Sequence, residues 1–356
     1  MFTYFGILVI FIYFELDIML QIGLVAAVVF DESFLGYGKY KFDEFKFENG
    51  DVLENVAVEY NISGTPKYDD DGNIVNAVVY CHNFNGSCSS INDLYQITAD
   101  GAPFDKNDYC LISITALGFP ESCSPSTTGL KYNFPKYTVL DVVNFNRQFL
   151  HEFLNINHVL GVCGVGLGGY SVYTWACEYP DEMEFIMVCD SSYKTNGYRY
   201  VITRAVDSII ESSDGFYDDA YDYSLSKTMV SIYKLLYSFY FSKKVFQEMS
   251  NDQIDVLMDD YVDEGLFTDI YDVKFANDII LNFNIEEKLG DIKARALIFG
   301  NEDDLYYSSE DDTLPLKNLI ENCKVVLYKS RRDHTGYEDY SVMFDEFWGF
   351  LRDFKK

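Results

Sequence analysis

The chain has 356 residues and a formal net charge of −30 at pH 7, from 57 Asp and Glu against 27 Lys and Arg. A chain this acidic repels phosphate backbones, which disfavours nucleic-acid binding. Hydrophobic residues make up 48% of the sequence, which is enough for a large core and argues against disorder.

Residues 1–30 are almost continuously apolar and long enough to span a bilayer. Glu15, Asp17 and Gln21 interrupt the run, and no Lys or Arg occurs before Lys39. A signal peptide or an anchor normally carries flanking positive charge. A membrane anchor or weak signal, a start assigned upstream of the real one, and an extra packed element all stay open. Membrane association is expected only through this segment.

Residues 31–191 are expected to form the first part of an α/β core. Residues 40–64 alternate apolar and polar side chains around a turn at Asn49-Gly50, which predicts an antiparallel hairpin. Continuous apolar runs predict strands at 76–82, 110–118, 158–164 and 184–191. Apolar residues at helical spacing predict helices at 138–154 and 168–180. Alternating strands and helices predict a mostly parallel, doubly wound sheet.

Residues 192–290 break this rhythm. Four stretches there have helical patterns, at 198–212, 226–249, 251–265 and 272–283. We expect this insertion to be a helical cap over the C-terminal edge of the sheet, where open α/β sheets bind ligands. Residues 291–356 then complete the core, with strands at 294–300 and 323–330 and a helix at 340–356.

The cysteines indicate no metal site. Eight are present, none of them forms a C-x-x-C pair, and several lie in apolar strands. This pattern argues against zinc and against a dense disulfide scaffold. It fits a reducing compartment, and we expect a cytoplasmic protein.

The sequence Gly164-Val165-Gly166-Leu167-Gly168 joins the strand at 158–164 to the helix that follows. A strand, a Gly-rich sharp turn and a helix are the context of the nucleophile elbow, G-x-S-x-G. Both flanking glycines are present here, and Gly166 stands where the nucleophile would be. The pattern therefore predicts an elbow with positive φ at Gly166 and no hydroxyl at its apex.

A base and an acid follow in the chain order that such enzymes use. Asp303 comes after the strand at 294–300, and His334 comes after the strand at 323–330. Both are therefore predicted at the sheet edge that carries Gly166. A histidine with a carboxylate behind it is a positioned base.

In these segments the chain resembles the homoserine O-acetyltransferase family of α/β-hydrolase-fold acyltransferases. The family's elbow, roughly G-G-S-M-G-G-M-Q-A-L-E-W-A followed by Y-P-D, is similar to "GVGLGGYSVYTWACEYPDE". Its H-A-L-T-G, F-P-x-x-T-I-x-D, D-W-L-F-P and G-H-D-A-F segments are similar to "HNFNG", "FPKYTVLD", "DDLYY" and "DHTGY". The resemblance covers about residues 45–350 and is weak in the cap.

The resemblance implies an α/β-hydrolase fold and assigns the site. The vacant nucleophile position is Gly166, the acid is Asp303 and the base is His334. The oxyanion donors are the backbone N–H groups of Phe84 and Leu167. The chain departs from the family in the glycine itself, in the shortened stretch "FPESCSPSTTG", and in an arginine not clearly matched in "SSYKTNG".

Several functions stay open. The first is a pseudoenzyme, a degenerate acyltransferase that binds a small acyl or amino-acid-like ligand. The second is a residual hydrolase in which His334 and Asp303 activate a water. The third is an active acyltransferase with another nucleophile, Cys163 or Ser171, for which alone acetyl-CoA would be a co-substrate; no bound cofactor is expected. A membrane-anchored structural module is a fourth hypothesis, and a homodimer a further option.

Overall fold

One sheet of eight strands runs through the protein. The computed structural model describes residues 32–218, 223–239, 241–330 and 340–355. The strands are β1 (Gly36–Lys46), β2 (Val52–Gly64), β3 (Ala77–Cys81), β4 (Cys110–Ile114), β5 (Val159–Val165), β6 (Met183–Cys189), β7 (Arg295–Asn301) and β8 (Cys323–Tyr328). Their spatial order is β1-β2-β4-β3-β5-β6-β7-β8.

The pairing confirms the predicted hairpin and the predicted mostly parallel sheet. β2 runs antiparallel to both β1 and β4, and every other pairing is parallel. The turn between β1 and β2 contains Gly50 at φ 90, a conformation that glycine adopts without steric cost. The carboxyl ends of β5, β6, β7 and β8 meet at one edge of the sheet, where the loops that carry the candidate site begin.

Eleven α-helices occur in the described residues. They are α1 (Tyr95–Thr98), α2 (Pro125–Thr128), α3 (Val139–Glu152), α4 (Leu167–Glu178), α5 (Gly197–Glu211), α6 (Tyr223–Leu236), α7 (Lys243–Glu248), α8 (Asn251–Phe267), α9 (Ile270–Leu281), α10 (Leu316–Leu319) and α11 (Phe344–Leu351).

Helices cover both faces of the sheet, as the predicted doubly wound architecture requires. Successive residues of a strand point to opposite faces, and β3 shows the result. Ala77 and Val79 belong to the apolar cluster that includes α3 and α4. Val78 and Tyr80 belong to the cluster that includes α1 and α11. This double burial explains why the strands are continuously apolar in the sequence.

Five helices, α5 to α9, come between β6 and β7, and α5, α6, α8 and α9 share an apolar cluster of their own. The predicted helix at 226–249 is in fact two, because α6 ends at Leu236 and α7 begins after Ser242. The Ser242 side chain accepts a hydrogen bond from the Val245 N–H, which makes Ser242 the N-cap of a new helix. The predicted C-terminal helix likewise begins as a 3₁₀ turn, Tyr340–Met343, before α11.

No helix within the described ranges is long and apolar enough to cross a membrane. The membrane expectation concerned residues 1–30, which lie outside the residues that the structure describes.

Candidate active site

The turn at Gly166 has the conformation that the sequence predicts. It joins the end of β5 to the start of α4, with φ 52 and ψ −122. The positive φ is therefore confirmed, and it is a region that residues with a Cβ rarely adopt. The Gly166 N–H donates to the Cys189 carbonyl at 3.2 Å, and the Ser191 hydroxyl donates to the Gly166 carbonyl at 2.6 Å. These bonds fix the turn against the end of β6.

The two flanking glycines bring the helix close to the sheet. A Cβ at Gly164 would lie 2.7 Å from the backbone of Gly168 and 2.8 Å from a methyl group of Val172. A Cβ at Gly168 would lie 2.1 Å from the Cys81 carbonyl oxygen at the end of β3. Neither position has room for a side chain, so both glycines follow from packing between strand and helix.

The loop after β3 is held by the buried imidazole of His82. The Ala116 N–H donates to its Nε2 at 2.9 Å, which leaves Nδ1 to donate to the Asn83 carbonyl at 2.8 Å. Burial lowers the pKa of His82 to about 4, so the ring is neutral at physiological pH. His82 therefore connects the ends of β3 and β4 and sets the path of the residues that follow it.

The two predicted oxyanion donors, Phe84 and Leu167, both line one cleft. Leu167 is the first residue of α4, so its N–H has no acceptor within the helix. The Phe84 N–H donates to the Asn83 side-chain oxygen at 2.5 Å. The Asn83 side-chain oxygen thus accepts the hydrogen bond of one of the two donors in this conformation. The carbonyl oxygen of a ligand would have to take its place at the Phe84 N–H.

The acid loop after β7 holds two neighbouring aspartates in different environments. Asp303, the predicted acid, has an exposed side chain. Asp304 is 6% exposed, and its Oδ1 accepts from the N–H groups of Tyr306 and Tyr307 at 2.7 and 2.8 Å. The buried carboxylate of this loop is therefore Asp304, one residue beyond the predicted one.

His334, the predicted base, lies outside the described residues, which stop at 330 and resume at 340. Its predicted position at the sheet edge that carries Gly166 stays a prediction. Ser330 and Tyr340, the described residues on either side of this gap, both line the same cleft as Phe84 and Leu167.

A buried carboxylate at the end of β6 was missed by the sequence reasoning. Asp190 is 1% exposed and has φ 42, a left-handed conformation uncommon for a residue other than glycine. It accepts hydrogen bonds from the Asn301 N–H and the Tyr328 hydroxyl, at the ends of β7 and β8. Asn301 Oδ1 in turn accepts from the Ser330 N–H at 3.2 Å. This network ties the acid loop to the start of the segment that carries His334. Its only sequence signal was an aspartate directly after an apolar strand.

The two alternative nucleophiles are poorly placed for attack. Cys163 packs against the cluster on the α11 side of the sheet, and burial raises the pKa of its thiol. A raised pKa disfavours the thiolate, which is the reactive form. Ser171 is 7% exposed and lines a separate cavity of about 20 Å³ beneath the elbow.

The cleft between the cap and the sheet edge has a volume of about 1490 Å³. Both core and cap contribute to its walls. Asp272 of α9 accepts from the Ser126 N–H at 2.8 Å and from the Ser126 hydroxyl at 2.5 Å, which joins the cap to α2. Within the described ranges, no group of three or more His, Cys, Asp or Glu side chains could hold a metal ion.

Comparison with known proteins places the chain in a family. No protein-family model matches the chain. A probable acyltransferase of Methanothermobacter thermautotrophicus is 37% identical over 300 residues, which cover 84% of this chain and 92% of that protein. A homoserine O-acetyltransferase of Deferribacter desulfuricans is 30% identical over 174 residues, 42% of this chain and 44% of that protein. The chain belongs to the homoserine O-acetyltransferase-like family of α/β-hydrolase proteins.

The fold of this homoserine O-acetyltransferase-like protein agrees with that of a solved homoserine O-acetyltransferase. The crystal structure of homoserine O-acetyltransferase from Bacillus anthracis superposes with a TM-score of 0.78, covering 88% of this chain and 97% of that one. At 17% identity this likeness shows the fold alone. The predicted α/β-hydrolase fold is thereby confirmed.

Proposed function

We propose that this homoserine O-acetyltransferase-like protein is a pseudoenzyme that binds a small acyl or amino-acid-like ligand in its cleft. The observation that carries the proposal is the glycine at the apex of the elbow. A serine-based acyl transfer needs a hydroxyl at this point, and Gly166 has none. The turn has the positive φ of an elbow, 52, and no side chain at its apex.

The rest of the site supports ligand binding. The backbone donors of Phe84 and Leu167 do not depend on side chains and still line the cleft. Donors of this kind hold a carbonyl oxygen in place and polarise it. The ligand that they favour therefore carries a carbonyl group, such as an ester, thioester or amide.

We assign the orienting carboxylate of the relic triad to Asp304 and the base to His334. Asp304 is buried after β7 and oriented by two backbone N–H groups, whereas Asp303 is exposed. A carboxylate that orients a histidine acts best when it is itself fixed and shielded from water. This assignment replaces Asp303, which the resemblance implied.

A residual hydrolase is the second candidate, because the oxyanion donors line a cleft large enough for a substrate and a water. In that reaction a water beside Gly166 attacks the carbonyl and His334 takes its proton; the tetrahedral intermediate then collapses to the acid and expels the alcohol or thiol, to which His334 returns the proton. Enzymes that lack triad members retain about 10³–10⁴-fold acceleration over water from the remaining groups. Acetyl-CoA would be a co-substrate only if acyl transfer survives through another residue, which the environments of Cys163 and Ser171 disfavour.

The test is to restore the hydroxyl with Gly166→Ser. After incubation with p-nitrophenyl acetate or acetyl-CoA, intact-mass analysis should show one added acetyl group on the variant and none on the parent. Gly166→Ala is the matched control, since it adds a Cβ without a hydroxyl. Both variants should lose about 1–3 kcal/mol of stability, because a side chain at φ 52 is strained.

The acid assignment is tested in the Gly166→Ser background. Asp304→Asn and His334→Ala should each slow acylation by about 10²-fold or more, whereas Asp303→Asn should leave it within about twofold. The pseudoenzyme proposal is wrong if the parent is acylated or turns the ester over many-fold faster than Gly166→Ala. The relic-triad assignment fails if Gly166→Ser stays unacylated, or if Asp303→Asn is the more damaging change.

A further inference from the structure

The chain contains three Asn-Gly pairs, at 49–50, 85–86 and 196–197. In such a pair the backbone nitrogen of the glycine can attack the side-chain amide carbon of the asparagine, because glycine has no Cβ to obstruct the approach. The product is a succinimide ring. The reaction needs an asparagine side chain that is free to rotate and a glycine nitrogen that is free to attack. The fold therefore decides which of the three pairs reacts.

The first pair is held by hydrogen bonds. Asn49 Nδ2 donates to Asp51 Oδ2 at 2.8 Å and to the Lys136 carbonyl at 3.1 Å, and Asn49 Oδ1 accepts from the Asp51 N–H at 2.8 Å. The Gly50 N–H donates to the Phe47 carbonyl at 2.9 Å. These bonds oppose the movement that closes the ring, so the turn between β1 and β2 protects Asn49.

The second pair is held at both of the groups that would react. Asn85 Oδ1 accepts from the Tyr233 hydroxyl at 3.2 Å, which ties the side chain to the cap. The Gly86 N–H donates to the Asn83 carbonyl at 2.9 Å, which holds the nitrogen that would attack. Asn85 is therefore also protected, by fewer bonds than Asn49.

The third pair has neither restraint. Asn196 is exposed, and although it stands at the N-cap position of α5 its side chain forms no hydrogen bond with any described residue. Gly197 is the first residue of α5, so its N–H has no acceptor within the helix, and no described residue outside the helix accepts from it. Its φ is 54, and nothing lies within 4 Å of the point that a Cβ there would occupy. Both reacting groups are therefore accessible and free.

The chain on either side of this pair is anchored. The Thr195 N–H donates to the Phe283 carbonyl at 2.8 Å, which ties the residue before the pair to the segment after α9. Two residues after the pair, Arg199 forms its buried ion pair with Asp312. The pair is thus a free segment between two fixed points, where the chain leaves the core and enters the cap.

We infer that Asn196 is a site of spontaneous chemical modification, at which the side chain closes on Gly197 and is converted to aspartate and isoaspartate. The Gly197 nitrogen forms a bond to Cγ of Asn196, and the side-chain nitrogen leaves as ammonia with the proton that the glycine nitrogen gives up. Water then opens the ring at one of its two carbonyl groups, which gives one product or the other. Neither residue is among those that line the cleft, so the inference is independent of the proposed function.

The two products should affect the fold differently. Aspartate keeps the main chain and puts a carboxylate at the N-cap of α5, where a side-chain acceptor and a negative charge are both favourable. Isoaspartate carries the main chain through Cβ and so adds a carbon between the anchors at Thr195 and Arg199. We therefore expect the isoaspartate form to be less stable than the parent, and Asn196→Asp to be at least as stable as the parent.

Peptide mapping of aged protein tests the inference. The folded protein would be kept for weeks at mildly alkaline pH and then digested with trypsin, which isolates Asn196 in the peptide 195–199 because Lys194 and Arg199 precede the two cleavage points. Mass spectrometry would follow the mass increase that comes from replacing the amide NH₂ by OH. Asn196 should convert at least about fivefold faster than Asn49 or Asn85, since it alone of the three has no hydrogen bond to break.

Controls separate the effect of structure from that of sequence. In urea, where the fold is lost, the three pairs should convert within about threefold of one another, because the same two residue types react in each. A digest of unaged protein corrects for conversion during digestion. Asn196→Gln is the matched variant, because its longer side chain closes a ring far less readily. Aged Asn196→Gln should unfold in urea like the unaged variant, whereas the isoaspartate fraction of the aged parent should unfold at lower urea than the unmodified protein.

Three results would each overturn the inference. They are no conversion at Asn196 in the folded protein, a rate there less than about fivefold that of Asn49 or Asn85, and the same ratios between the sites in urea as in the fold. The expected consequence for the cap is wrong if the isoaspartate fraction is as stable as the unmodified protein, or if ageing destabilises the parent and Asn196→Gln equally.

Discussion

Gly168→Ala places two physical effects in opposition, and the structure decides which one dominates. Gly168 is the second residue of α4, and replacing glycine by alanine within a helix normally stabilises a protein by about 0.5–1 kcal/mol. Against this, the new Cβ would lie 2.1 Å from the Cys81 carbonyl oxygen and 2.7 Å from that of His82. Ordinary contact begins at 3.4 Å, so the first distance is short by 1.3 Å (3.4 − 2.1).

Neither of those oxygens can move away freely. Both belong to the backbone at the end of β3, which pairs with β4 and β5. The helix and the strand must therefore separate by about 1 Å, and overpacking of this kind costs about 1–3 kcal/mol, occasionally more. Subtracting the helix gain still leaves a net loss, and we expect the free energy of unfolding to fall by about 1–2 kcal/mol.

Urea unfolding followed by far-UV circular dichroism would measure the change. Gly349→Ala is the matched control, because Gly349 is an exposed residue of α11 and nothing lies within 4 Å of the point that a Cβ there would occupy. It should stabilise the protein by up to about 1 kcal/mol. If Gly168→Ala is as stable as the parent or more stable, the close approach of α4 to β3 does not explain the second glycine of the elbow.

The remaining predictions concern buried polar groups. The pKa of His82 is about 4 in the fold against 6.5 for a free histidine, so the unfolded chain binds its proton first as pH falls. The free energy of unfolding of the parent, relative to that of His82→Gln, should therefore fall by about 3 kcal/mol between about pH 6.5 and pH 4 and stay constant above pH 7. Urea titrations of both proteins would measure it, and a difference between them that does not change with pH would contradict this. Arg199 forms a two-bond ion pair with Asp312, both nearly fully buried, so Arg199→Leu should cost about 3–5 kcal/mol in the same assay. Arg295→Leu, which removes the exposed pair with Asp353, should cost about 1 kcal/mol or less, and equal costs for the two would refute the role of burial.

Much of the fold follows from patterns within short stretches of sequence. Alternation around Asn49-Gly50 predicts the β1–β2 hairpin, and apolar runs predict the six strands that follow. The glycines around position 166 predict the elbow and its positive φ. These signals can be read without a structure because strand periodicity, turn geometry and the steric freedom of glycine are local properties.

The break in the cap helix shows where local patterns mislead. The stretch 226–249 is rich in aromatic and aliphatic residues at helical spacing, which hides the end of α6 at Leu236. The chain leaves the helix for a 3₁₀ turn, Tyr237–Phe239, where Tyr237 and Phe239 are buried. Ser242, an ordinary N-cap residue, marks the restart, and among so many apolar residues its signal is easily overlooked.

By itself, the sequence determined that an elbow stands at the end of β5 with glycine at its apex, and that an acid and a histidine follow after the right strands. Only the tertiary structure decided which aspartate of the pair at 303–304 turns inward, because that choice depends on the N–H groups of Tyr306 and Tyr307 folding back around one carboxylate. It also decided which residues line the cleft. Asp93 and Asp272 are far apart in the sequence and line one space only when the cap lies over the sheet edge.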